Sequence, residues 1–166
     1  GSSHMEDYQI IIKLINKFNY KWIIVPHEIN KNDIKFLKEK IKKKIVFWSK
    51  LNDIENCDVL IIDKVGILQD IYYYADIVYI GGGFSKGVHN CLEAAIFSKP
   101  LIFGPNYNSF TEALFFVKNK IAFTVNDKES FEKIINKNFD LNHINKHSKS
   151  FFKNNKDAIK KIIEKV

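Results

Sequence analysis

Short apolar runs alternate with segments of helical spacing along nearly the whole chain. Lys21–Val25, Ile45–Trp48, Val59–Ile62, Ile77–Ile80, Leu101–Phe103 and Ala122–Val125 are continuous apolar runs, the pattern of short strands covered on both faces. Between them, Tyr8–Phe18, a segment capped by Asn30 or Asn32 and running through Lys42, Ile67–Tyr74, His89–Phe97, Phe110–Lys118 and Lys128–Asn136 repeat apolar residues at the period of a helix. Strands that alternate with helices pair in parallel through right-handed crossovers. The expected fold is therefore α/β, a Rossmann-like, doubly wound parallel sheet. Such sheets bind ligands beyond the carboxyl ends of their strands, and Pro26, Gly66, Gly81–His89 and Gly104–Asn106 all fall at those ends. The tail from Asn136 to Val166 repeats apolar residues at Phe151, Phe152, Ala158, Ile159, Ile162 and Ile163, which dock either on this domain or on a neighbouring one.

Composition narrows the picture. A chain of 166 residues suits one domain. Gly1–Met5 read as an expression-vector remnant, to be set aside from the fold, and Glu6 then enters directly into a helical pattern, which reads as a cut made in a linker; the domain is expected over residues 6–166. The net charge is +7, yet all 26 basic residues are lysine, and arginine, the usual bidentate reader of phosphate and guanine, is absent. Nucleic acid is not the expected partner. The Lys-rich stretch Lys35–Lys44 is either a solvated helix face leading into a strand or a patch for an anionic membrane surface. No apolar run approaches the ~18 residues of a bilayer span. Cys57 and Cys91 lack the spacing of a metal site or disulfide framework, so no metal is expected and the compartment reads as reducing.

Chemistry concentrates in the block from Ala75 to Asn106. The glycines at 81–83 allow close backbone approach to a ligand, and a helix opening at Gly87-Val88-His89-Asn90 offers free N–H groups to an anion such as phosphate. Glu93 lies one helical turn beyond Asn90, so Asn90 either caps the helix or touches phosphate while Glu93 accepts hydrogen bonds from ribose. GGGFSKG is neither the dinucleotide fingerprint nor a Walker loop, and by themselves three glycines equally fit a tight turn before a capped helix. Lys86 stands near enough to meet an anion, and Glu112 is either a second ligand contact or a first-turn acid. Ser98 and Lys99 read as a turn, and only part of the Tyr72-Tyr73-Tyr74 run can face the core.

The order Gly81-Gly82, Val88-His89-Asn90, Leu92-Glu93, Phe103-Gly104-Pro105-Asn106 and Phe110-Thr111-Glu112 resembles the C-terminal half of the 3-deoxy-D-manno-octulosonic acid (Kdo) transferases, GT-B glycosyltransferases that move Kdo from CMP-Kdo to lipid A precursors. Trp22–Glu28 and Val59–Leu68 resemble two further loops of that family, and the likeness covers roughly residues 20–126. It implies that Pro26, His27, Val65, Gly66, Ile67, Gly87, His89, Asn90, Cys91, Leu92 and Glu93 contact the CMP donor. His27 and Cys91 stand where many members carry arginine and proline. The resemblance further implies half of a two-domain enzyme without cofactor, inactive alone, its catalytic base and lipid A precursor site on a missing N-terminal domain. The full enzyme is then expected at the cytoplasmic side of the bacterial inner membrane, with CMP-Kdo, CMP and the membrane surface as partners. A fragment of a UDP-GlcNAc 2-epimerase-like enzyme and a non-catalytic nucleotide-binding or interaction module are the alternatives.

Overall fold

In a computed structural model, which describes residues 1–51 and 55–156, six short strands and seven helices follow one another in the expected alternation. The strands are β1 (Trp22–Ile24), β2 (Ile45–Phe47), β3 (Val59–Ile61), β4 (Val78–Ile80), β5 (Leu101–Phe103) and β6 (Ala122–Thr124). The helices are α1 (Met5–Lys17), α2 (Lys31–Lys40), α3 (Leu68–Tyr74), α4 (Leu92–Ala95), α5 (Thr111–Lys118), α6 (Lys128–Ile135) and α7 (Leu141–Asn154). All pairings are parallel: β3 lies between β1 and β2, and β5 lies between β4 and β6.

The period of two along each strand sets two apolar faces. Ile24, Val59, Ile61, Ile102 and Val125 join the buried residues of α1 and α2 and Phe131 of α6 in one core cluster. Val78, Ile80, Leu101 and Phe103 face the opposite way, onto Tyr72, Ala94, Ala113, Phe116 and Ile144 of α3, α4, α5 and α7. Helices on both faces of a parallel sheet are the doubly wound arrangement expected.

Local chemistry explains several boundaries. Asn30, not Asn32, caps α2, accepting the Asp33 N–H at 2.8 Å. Asp140 caps α7 through the His143 N–H at 2.9 Å. The α7 segment carries a start signal that the spacing at Phe151 and Phe152 does not reveal. Phe151 packs on Phe115 and Phe116, with ring centroids 4.8 and 4.9 Å away, so the described part of the tail docks on its own domain. Ala158, Ile159, Ile162 and Ile163 lie outside the described residues, as do Asn52 and Asp53. Of the three tyrosines, Tyr72 is buried, while Tyr73 and Tyr74 are 64% and 77% exposed. Among the described residues no helix is long and apolar enough to cross a membrane.

Two expectations are corrected. A helix running from His89 to Phe97 is reduced to the four residues of α4. Its intended first turn is pulled away because Gly87, Val88 and His89 give their N–H groups to the carbonyls of Gly82, Asn106 and Gly81. Gly1–Met5, set aside from the fold, is part of it. Ser3 and Asp7 are buried, Met5 opens α1, and Ser3 bridges in parallel to Pro26.

Candidate functional site

The loops after β1, β3, β4 and β5 gather at the carboxyl edge of the sheet. The loop after β4 is held by close backbone packing. A Cβ on Gly83 would stand 2.6 Å from the Gly104 nitrogen and 2.8 Å from its Cα, so the β4 and β5 ends touch backbone to backbone. Gly82 takes φ +86° and Gly87 φ +147°, conformations that other residues rarely adopt.

Asp7, at the start of α1, is the polar hub beneath this loop. Its carboxylate accepts the Gly82 N–H at 3.0 Å, the His4 N–H at 2.8 Å and the Tyr79 hydroxyl at 2.6 Å. Burial, first, and the neighbouring Asp7, second, push the Tyr79 phenol well above its ordinary range, so it stays a donor. The carboxylate thus occupies the N-terminal turn of α1 and pins the glycine loop to it.

Three histidines converge above Asp7. His27, after β1, stacks on His89, after β4, with centroids 4.3 Å apart, and His4 stacks on His89 at 4.9 Å. His4 Nε2 and His89 Nε2 are 2.6 Å apart, which requires one of them to carry the shared proton. The ligand-capable atoms of the trio all lie within 4.8 Å of one another. A tetrahedral ion with N–metal bonds of about 2.0–2.1 Å would hold two such nitrogens roughly 3.3 Å apart, so the 2.6 Å contact fits a shared proton better than a common metal. Burial, followed by the charges of His27 and His4, holds the His89 pKa below the ordinary histidine value, while Asp7 works against that shift. An acidic ligand buried beside His89 would favour its protonated form.

Next to His89, Asn90 does two jobs. Its Oδ1 accepts the Leu92 N–H at 2.9 Å and its Nδ2 donates to Glu93 Oε1 at 2.9 Å, which leaves Glu93 Oε2 for a ligand hydroxyl. The expected phosphate site on the free N–H groups of Gly87 to His89 does not exist as drawn, because those donors are bonded to carbonyls, and a helix as short as α4 has little dipole.

The other nominated residues divide. Pro26 is buried where β1 ends. Cys91 is fully buried in the core, its thiol pushed up to about 12 by burial and then by Glu112, so only its backbone is available to a ligand. Leu92 packs against the same core. Val65, at 84% exposure, Gly66 and Ile67 follow β3 at the same edge, but no hydrogen bond or ring contact among the described residues joins them to the histidines. Gly87 lies under the Phe110 ring, with no room for a Cβ. Glu112 holds Thr111 through Oε2 at 3.3 Å and sits close enough to Cys91 to raise its thiol. Lys86 is exposed. His4 and Asp7 are the site residues that the sequence pattern did not nominate; the signal was the helix-start spacing from His4 to the acid at position 7.

No family model matches the chain. It is 34% identical over 136 residues, 78% of its length, to the 3-deoxy-D-manno-octulosonic acid transferase of Chlamydia muridarum, and spans 32% of that protein. Over 68% of its length it is 32% identical to the enzyme of the same name from Rickettsia prowazekii, spanning 26% of it. It is also 28% identical, over 99% of its length, to a bifunctional glycosyltransferase/methyltransferase of Fusobacterium nucleatum, spanning 27% of it. Among solved structures, the C-terminal CMP-Kdo binding domain of WaaA from Acinetobacter baumannii superposes with a TM-score of 0.68 at 20% identity, covering 80% of this chain and 74% of that one. That likeness establishes the fold.

Proposed function

Because this chain is a homologue of the Kdo transferases and spans only about a third or less of their length, we propose that it is the donor-holding domain of such an enzyme. It binds CMP-Kdo at the carboxyl edge of its sheet for transfer of Kdo to a lipid A precursor. The observation that carries the reading is the stacking of His27 on His89 beside the Asn90–Glu93 pair. Two loops distant in sequence thereby stack two imidazoles directly before a residue pair whose carboxylate keeps an oxygen without a hydrogen bond among the described residues.

Those groups suit a nucleoside monophosphate linked to an acidic sugar. The histidine trio faces the donor's negative groups, and a proton gained by His89 strengthens that attraction as the phosphate departs with CMP. Glu93 Oε2 accepts a ribose hydroxyl. Without arginine, and with His27 at the family's arginine position, cationic charge at this edge depends on pH. The general base and the acceptor site belong to the rest of the enzyme, which works against the cytoplasmic face of the bacterial inner membrane.

The test is a titration with CMP, UMP and AMP followed by amide NMR shifts, on this chain and on Glu93→Ala. The expected result is CMP-selective shifts at His27, Gly66 and His89–Glu93, weakened in the variant. Affinity should rise as the pH falls through the histidine range, because His89 is held below its ordinary pKa and must gain a proton on binding. Selectivity for UMP would favour the epimerase-like enzyme, and silence toward all three nucleotides would favour the non-catalytic module.

A further inference from the structure

The histidines give the carboxyl edge of the sheet a charge that comes and goes with pH, and the chain holds no arginine to supplement it. A lysine ammonium keeps its charge throughout that range. Two lysines stand beside the residues assigned to the donor: Lys64 before Val65, and Lys86 between Ser85 and Gly87.

Their surroundings separate them. Lys64 follows Asp63, whose carboxylate accepts the Ser49 N–H at 2.8 Å and the Ser49 hydroxyl at 2.5 Å, so the loop after β3 carries a negative charge beside its positive one. Lys86 has no such companion. Between Asp76 and Glu93 it is the only residue besides His89 that carries charge near neutral pH. Its side chain makes no ion pair and no ring contact among the described residues.

The loop that bears Lys86 is laced into the half-sheet formed by β4, β5 and β6. Asn106, after β5, donates its N–H to Gly83 C=O at 2.9 Å and its Nδ2 to Ser85 C=O at 2.8 Å, while its C=O accepts the Val88 N–H at 2.9 Å. Gly82 C=O accepts the Ser85 and Gly87 N–H groups at 2.9 and 3.1 Å and the Ser85 hydroxyl at 3.1 Å. Of residues 81–89, Lys86 alone is exposed. The ammonium therefore projects from an ordered base, and only its own rotamers remain to be ordered by a ligand. The Gly87 C=O and the His89 ring both lie against Gly82, 2.3 and 2.9 Å from a Cβ placed there, so Lys86 and His89 leave the same tight glycine turn.

Resting on the donor-holding reading, we propose that Lys86 is the permanent cation of the donor site and meets the nucleotide phosphate beside the histidines. An anion held at an edge charged only by imidazoles loses its counter-charge as these become neutral. A lysine, a point charge on a flexible stem, suits a phosphate that is negative when bound and gathers more charge as CMP leaves. It contributes affinity for the phosphate and none for the base.

The test is binding of cytidine and CMP by amide NMR shifts near pH 8.5, where the imidazoles are neutral. It uses the unmodified chain, Lys86→Ala, Lys86→Arg and Lys118→Ala, the last removing an exposed lysine from the final turn of α5, where the chain enters β6. The unmodified chain should bind CMP roughly fivefold more tightly than cytidine. Lys86→Ala should lose that preference, with cytidine binding and the exchange of the Ser85, Gly87 and Val88 amides unchanged, whereas Lys86→Arg and Lys118→Ala should keep it. Raising salt from about 0.05 to about 0.5 M should erode the preference in the unmodified chain. Equal preference for CMP in Lys86→Ala and the unmodified chain would overturn the proposal and leave the donor-holding reading standing. An unmodified chain that binds neither ligand would overturn both.

Discussion

The loops after β4 and β3 both carry glycine at the carboxyl edge, and they differ in what the glycine is for. After β4 the glycines are squeezed: Gly83 lies on Gly104, Gly82 takes φ +86°, and Asp7 ties the Gly82 N–H to α1. After β3, Gly66 takes φ +92° in open space, with nothing within 4 Å of a Cβ placed on it, and Val65 beside it is 84% exposed. A glycine that is needed for packing belongs to the scaffold. One that is needed only for its backbone angle, beside an exposed side chain, is free to serve a ligand.

The sharpest way to break this contrast is Gly83→Ala. A methyl group would overlap the Gly104 backbone, which no flexible side chain can relieve, so the half-sheet must open. The expected loss is about 4 kcal/mol, enough to leave much of the chain unfolded. Urea unfolding measures it, and a loss under ~1 kcal/mol would show that the two loops are equally adaptable.

Asp7→Ala comes next. It would strand the Gly82 N–H, the His4 N–H and the Tyr79 hydroxyl, three donors that now share one carboxylate. The expected cost is about 3 kcal/mol. Histidine NMR should also report a changed trio, because Asp7 acts on His89. Normal stability with unaltered histidine signals would mean that the loop after β4 holds its shape without α1.

The same contrast explains what could be read from the chain. Strands buried on both faces announce themselves by continuous apolar runs, and Leu101–Phe103 falls where the pattern puts it. Glycine signals say that backbone is special without saying why, so Gly83 and Gly66 look alike in sequence. The late start of α4 was hidden because it depends on Asn106 and Gly81 carbonyls that arrive from other segments. The resemblance puts Cys91 beside Asn90 at the donor, yet its side chain belongs to the core, a matter of helical phase set by that late start. Asp7 is hidden because its partners Tyr79 and Gly82 lie 72 and 75 residues away, and His4 because it falls in Gly1–Met5, the segment that reads as an expression-vector remnant. Its partners, Val25, Tyr79 and His89, lie 22, 78 and 85 residues away, and only the topology brings them close.

The smallest effect separates scaffold from ligand loop most cleanly. Gly66→Ala meets no neighbour, so its cost is the strain of a positive φ, about 1–2 kcal/mol. About 0.4–1 kcal/mol of that is offset by the stiffer unfolded chain. Stability should therefore fall by no more than about 1.6 kcal/mol. CMP binding should fall further than that, since the backbone around Val65 would be displaced where a nucleotide is expected to touch it. Parallel unfolding and CMP titrations on this one variant decide the matter. Weaker binding at near-normal stability assigns Val65–Ile67 to the donor, whereas unchanged binding confines the site to the histidines and the Asn90–Glu93 pair.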